Sequence, residues 1–206
     1  MNGRLVTIEG LDGAGKTTLA TGLADALAER GVTARLLREP GGVELSEELR
    51  SLVKDPGRTI APRTEALLYA AARAQLVDEL LEPLLADGAW VLLDRFVDSS
   101  LAYQGAGRGL GIEAIRDLNR FATGGLQADR TLLLRLDPAA SRERAQGRLL
   151  PEDRLEAAGE DFFTAIAAAY DELAAAEPDR IRVLDATRGP EELVADALDA
   201  VVDLLP

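Results

Sequence analysis

Residues 10–17 read Gly-Leu-Asp-Gly-Ala-Gly-Lys-Thr, a full match to the phosphate-binding loop pattern G-x-x-x-x-G-K-[ST]. The pattern constrains the fold because it works only between a strand and a helix. Leu5-Val6-Thr7-Ile8 before it is a short apolar, β-branched run that reads as a buried strand. After it, Leu19, Leu23, Ala26 and Leu27 recur at helical spacing. Gly10, Gly13 and Gly15 let the backbone bend and bring its N–H groups close to phosphate oxygens. The helix that follows aims its positive end at the same anion. Lys16 adds a mobile positive charge, and Thr17 offers a hydroxyl to Mg²⁺. Gly10, Leu11, Asp12, Gly13, Ala14, Gly15, Lys16, Thr17 and Thr18 are therefore the candidate ATP-binding stretch, with Thr18 a second hydroxyl of the first turn.

What surrounds the loop limits its chemistry. At 206 residues and 47% hydrophobic, the chain suits one domain, 1–206, with a sizeable core. No apolar stretch reaches about 18 residues, so no membrane span is expected. The first strand is expected within a few residues of Met1, which leaves no room for a signal peptide. Cys and His are both absent, which excludes thiol chemistry and the usual general base. The net charge of -13 argues against nonspecific binding to nucleic acid or an acidic membrane. Only two lysines occur, and one of them, Lys16, occupies the loop's lysine position.

Strand-like and helix-like segments alternate along the chain. Strands are expected at 4–9, 34–39, 90–94, 130–136 and 181–184. Helices are expected at 16–30, 45–54, 62–86, 97–103, 112–123, 139–146, 155–177 and 190–205. This alternation predicts an α/β fold, a parallel sheet with helices on both faces. Ligands of such sheets bind at the carboxyl ends of the strands. Three loops stand out: 38–42 and 104–109, rich in Gly, and 148–154, which carries Arg148 and Arg154 and suits a lid.

Val91-Leu92-Leu93-Asp94-Arg95 is an apolar strand ending in an acid and a base. Beside a P-loop, Asp94 reads as a Mg²⁺ residue and Arg95 as a fork for a second phosphate; alone, the pair would read equally as a surface ion pair. Arg142, Arg144, Arg148 and Arg154 crowd one segment. They read either as phosphate-neutralising groups, with Arg148 or Arg154 catalytic, or as a solvated helix face. Tyr69 and Arg73 share a helix face. They read either as a base-stacking residue with a base-edge donor, or as a core residue with a surface charge. A guanine-type Lys-x-Asp motif is absent, since Lys54 is followed directly by Asp55, so ATP is the expected donor. The residues thus describe a small P-loop phosphotransferase.

With these pieces in order, the chain resembles the thymidylate kinase family, of the bacterial type, over nearly its whole length. The resemblance rests on the opening Ile8-Glu9-Gly10-Leu11-Asp12-Gly13-Ala14-Gly15-Lys16-Thr17-Thr18, the loop Arg38-Glu39-Pro40-Gly41-Gly42, and Ala71-Ala72-Arg73-Ala74-Gln75. Asp94-Arg95-Phe96, Ser99-Ser100 and Tyr103-Gln104-Gly105 extend it. It implies a P-loop nucleoside monophosphate kinase-like fold with a five-stranded parallel sheet, a lid at about 142–156, and a cytoplasmic homodimer. The implied reaction moves the ATP γ-phosphate to dTMP with Mg²⁺, giving dTDP and ADP. By position it implies Asp12 near the acceptor sugar, Glu39 and Arg50 in the acceptor pocket, and Tyr69 stacked on thymine where the family has Phe. Arg73, Ser100 and Gln104 become base contacts, and Tyr103 crowds a ribose 2′-hydroxyl. Arg95 bridges the two substrates' phosphates, Arg144 lies against adenine, and Arg148 or Arg154 is the lid's catalytic arginine. Such a reaction needs positioning and charge neutralisation more than proton transfer, which suits a chain without His.

Overall fold

The computed structural model describes residues 3–147, 154–155 and 159–205. Five strands form one parallel sheet: β1 (Arg4–Gly10), β2 (Ala34–Arg38), β3 (Trp90–Asp94), β4 (Arg130–Arg135) and β5 (Ile181–Asp185). Their order is β2-β3-β1-β4-β5, with Arg4 opposite Trp90 and Val6 opposite Arg130. Each parallel step requires a crossover, and helices supply it: α1 (Lys16–Ala28), α2 (Glu44–Lys54), α3 (Pro62–Leu76), α4 (Glu82–Ala86), α5 (Val97–Ser100), α6 (Ile112–Ala122), α7 (Pro138–Gln146) and α8 (Glu160–Ala176), while α9 (Pro190–Val201) follows the last strand. The α/β architecture expected from the alternating pattern is the one observed.

The two-residue period of a strand sorts the core onto two faces. Val6, Ile8, Leu92, Leu132 and Leu134 pack with Leu19, Leu23 and Leu27 of α1 and Leu193, Leu198 and Val201 of α9. Their neighbours Leu5, Val91 and Leu93 turn the other way, onto Leu76 and Leu81. Leu133 does the same against Ile166 and Leu173 of α8. The centre of the sheet is thus largely apolar on both sides, which is why β3 and the middle of β4 read as continuous hydrophobic runs.

Three expected segments differ from those observed. The helix expected over 62–86 is one continuous rod, but its path passes through a π-helical turn, Val77–Leu81, between α3 and α4. Pro83 follows at once and has no N–H to give the preceding turn, so the hydrogen-bond register changes there. The segment expected as a glycine loop from residue 104 is instead a π-helix, Leu101–Gly107, continuing α5. Its glycines serve close packing rather than a turn: a Cβ on Gly107 would lie 2.7 Å from the Phe162 ring. The helix expected from 155 begins only at Glu160.

Candidate active site

β1 ends at Gly10, and the chain loops at the carboxyl edge of the sheet into α1. Gly10, Gly13 and Gly15 take φ of 136, 92 and 98°, the region that glycine enters freely. At Gly13 space is also lacking, since a Cβ would sit 2.3 Å from the Ser141 carbonyl oxygen. The loop is therefore clamped under α7, where Ser141 Oγ donates to the Asp12 carbonyl at 2.6 Å. Gly15 caps α1 without a side-chain acceptor, which leaves the first-turn N–H groups for an anion. Lys16 is buried and donates to the Gly10 and Leu11 carbonyls at 3.2 and 2.9 Å. Burial, aided by Arg95, pushes its ammonium down to about 8 against the pull of Asp12, Asp94 and Glu9.

The end of β3 lies beside this loop. Thr17 Oγ1 donates to Asp94 Oδ2 at 3.2 Å, so the two candidate metal residues meet. Among the described residues no group of three or more Asp, Glu, Cys or His side chains is placed to hold a metal ion by itself. A hydroxyl and one carboxylate beside a phosphate loop form a hard oxygen set that suits Mg²⁺, which keeps waters and substrate oxygens in its shell. Next along the chain, Arg95 holds a left-handed φ of 72°, costly for a side chain with a Cβ. Its neighbours are pinned from below: Arg95 N–H donates to the Ile8 carbonyl, and Phe96 N–H to Glu9 Oε1 at 2.8 Å. The turn aims the guanidinium back across the cleft. Nη1 donates to the Gly10 carbonyl and Ser99 Oγ, and Nη2 to Asp12 Oδ1 at 2.7 Å and Tyr103 Oη at 3.2 Å. Burial alone would raise the Asp12 pKa, but Arg95 and then Lys16 hold it well below the usual carboxylate range.

A cleft of about 930 Å³ opens from the loop toward α2, α3 and the Leu101–Gly107 segment. Leu11, Asp12, Lys16, Thr17, Asp94 and Arg95 line one half. Glu39, Arg50, Tyr69, Arg73, Ser100, Tyr103 and Gln104 line the other. Arg73 is buried, not a surface charge, and all three guanidinium nitrogens have internal partners. Nε donates to Glu39 Oε2 at 2.7 Å, Nη1 to Ser100 Oγ at 2.8 Å and to Asn119 Oδ1, and Nη2 to the Phe96 carbonyl. The other Glu39 oxygen, Oε1, is buried without a hydrogen bond. Burial raises the Glu39 carboxyl while Arg73 opposes the rise. Arg50 donates to the carbonyl of Pro40, whose peptide bond with Glu39 is cis.

The lid arginines are dispersed. Arg142 lines the cleft, its guanidinium 5.8 Å from the Phe163 ring centre. Arg144 lies outside the cleft lining and donates to the Ala186 carbonyl at 2.9 Å. Arg154 also lies outside the lining, 2.7 Å from Glu65 Oε2 and donating to the Val53 carbonyl. Arg148 lies outside the described residues, as do 149–153 and 156–158 of the expected lid. Gly10, Gly13, Ala14 and Gly15 of the loop, and Thr18 of α1, lie outside the cleft lining.

Beneath the site lie polar groups that no motif marks. Glu9 is buried and accepts from Phe96 N–H, Ser99 N–H, Ser99 Oγ and Tyr170 Oη. Burial first, and Asp98 second, push its carboxyl up to about 7. Its signal was present: one acid at the end of an otherwise apolar buried strand. Glu65 is completely buried and gathers Gln104, Arg108 and Arg154. Its signal was helical spacing, since Glu65, Tyr69 and Arg73 recur every fourth residue.

A family model described as Thymidylate kinase matches residues 8–197. The chain is 47% identical to a protein named Thymidylate kinase from Chromobacterium violaceum, over 94% of this chain and 91% of that one. It is 48% identical to a Thymidylate kinase from Deinococcus radiodurans, over 97% and 96% of the two chains. The protein of the same name from Halorhodospira halophila is 45% identical over 99% and 96%. The chain belongs to the thymidylate kinase family.

Proposed function

We propose that this family member transfers the γ-phosphoryl group of ATP to dTMP, giving dTDP and ADP for dTTP synthesis. The observation that carries the reading is the position of Arg95. Its guanidinium touches the P-loop through Gly10 and Asp12, and the other half of the cleft through Ser99 and Tyr103. A side chain so placed can neutralise both phosphate groups where two anions must meet. The loop amides and Lys16 would take the donor phosphates. An oxygen of the acceptor phosphate attacks the γ-phosphorus, and the bond to the β-bridging oxygen breaks toward ADP. No proton need be removed from that acceptor, so the absence of His is no obstacle. Mg²⁺ would be held by Thr17 and Asp94, where it offsets charge on the donor phosphates. Glu39 Oε1, buried and unbonded, supports Glu39 as an acceptor for a substrate donor. Tyr69, Arg73, Ser100, Tyr103 and Gln104 would form the nucleoside pocket, with Arg50 near the acceptor phosphate. Arg142 joins Arg148 and Arg154 as a lid candidate because it lines the cleft.

The reading extends to the whole chain as one kinase domain whose lid spans about 142–156, with Arg144 near adenine. It also extends to a cytoplasmic homodimer. No helix among the described residues is long and apolar enough to cross a membrane. Phe121 on α6 is 87% exposed and Leu67 on α3 is 58% exposed, a cost to solvation that a second copy would remove. The test is ADP release with ATP and Mg²⁺ against a panel of nucleoside monophosphates. Turnover with dTMP far above the rest is expected. Turnover on a different monophosphate would retain the P-loop roles and discard the thymine pocket. A folded, ATP-binding protein inactive on all of them would reject phosphotransfer.

A further inference from the structure

Resting on the dTMP reading, we propose that Glu65 is a positioning residue for base selection: it locks the Gln104 amide so that its carbonyl faces the cleft and accepts an imide N–H. Glu65 lies on α3, fully buried, and its carboxylate faces two guanidinium groups. Arg108 Nε and Nη2 donate to Oε1 and Oε2 at 3.2 and 3.1 Å, and Arg154 lies 2.7 Å from Oε2. Clasped this way, the carboxylate offers acceptors only.

Gln104 Nε2 donates to Glu65 Oε1 at 2.9 Å. An amide has one donor end and one acceptor end, so the choice of partner sets its orientation. One N–H of the NH₂ end is committed to Glu65, and Oε1, the amide's acceptor end, is turned away from that carboxylate. Among the described residues no donor reaches it, and Gln104 lines the cleft. A pyrimidine whose N3 carries a hydrogen, thymine or uracil, satisfies that oxygen. Cytosine, whose N3 is a lone pair, sets acceptor against acceptor. A buried polar group left unpaired by the wrong ligand is a strong discriminator. Neighbouring Asn119 obeys the same rule: its Nδ2 donates to the Ile115 carbonyl, so Oδ1 meets Arg73.

Glu65→Gln tests this, because a neutral amide at 65 can either accept or donate and so frees Gln104 to flip. Steady-state kcat/KM is measured for dTMP and dCMP on the wild type, Glu65→Gln and Arg108→Ala, with thermal unfolding followed in parallel. The dTMP:dCMP ratio is expected to fall roughly tenfold or more in Glu65→Gln, through loss on dTMP and gain on dCMP. Arg108→Ala breaks an ion pair to Glu65 but spares the Glu65–Gln104 bond, so its ratio is expected to stay within about twofold of wild type. An unchanged ratio in Glu65→Gln overturns the proposal, as does an equal fall in Arg108→Ala. If Glu65→Gln does not fold, the ratio is read on Glu65→Gln/Arg108→Met, which removes a cation left unpaired. A wild type that ignores dTMP yet uses another monophosphate overturns the dTMP reading and this inference together, whereas an intact dTMP preference with an unmoved ratio overturns this inference alone.

Discussion

At the residue scale, the chemistry depends on a few buried charges. Lys16→Ala is expected to lower kcat with ATP and dTMP by at least about 100-fold while leaving dTMP affinity nearly intact, since its amine serves the donor side. Equilibrium binding beside steady-state rates checks this, and unchanged turnover would remove the loop lysine from the mechanism. Arg95→Ala is expected to reduce kcat by about 100-fold with little change in ATP affinity; a pure affinity loss would give it another role. Glu9 supplies a pH signature. Its carboxyl titrates near 7 in the folded protein and near the ordinary 4.5 when unfolded. Between those values the folded state holds a proton that the unfolded chain has released, so this group's contribution falls as pH rises through that window. Denaturant midpoints at pH 5 and pH 8 should therefore show the wild type losing ground to Glu9→Gln at the higher pH. The opposite trend would mean that Glu9 is stabilised as an anion.

At the scale of elements, strands and helices were largely legible because their signals are local. The two-residue alternation of apolar faces and the helical spacing of Leu19, Leu23 and Leu27 need no knowledge of partners. The Leu101–Gly107 π-helix was not legible. Gly105 and Gly107 look like loop residues until Ile112 and Phe162 are seen packed against them. Gly107→Ala is accordingly expected to destabilise by about 1–3 kcal/mol through overpacking, despite alanine's better helix propensity. A melting temperature at or above wild type would show that Phe162 simply moves aside. Polar residues of the site divide the same way. Lys16, Thr17 and Asp94 stand out as candidates because two are letters of the loop motif and the third ends a neighbouring apolar strand, whereas Glu9 and Glu65 meet partners far along the chain.

At the scale of the whole molecule, exposed Phe121 is the feature most at odds with a lone protomer. Phe121→Asp is expected to shift a dimer to a monomer in light scattering after size exclusion, with the fold retained; a monomeric wild type would end the homodimer reading. The sequence by itself determined the phosphate loop between strand and helix, the parallel α/β class and the exclusion of thiol and imidazole chemistry. These follow from residue type and short-range periodicity. The tertiary structure alone decided the strand order, the burial of Arg73, and the partners of the buried carboxylates. Glu9 meets Tyr170 at a separation of 161 residues, and Glu65 meets Gln104 at 39. A buried charge must be matched somewhere, but periodicity tells only which face is apolar, and the matching group is chosen by how distant helices pack.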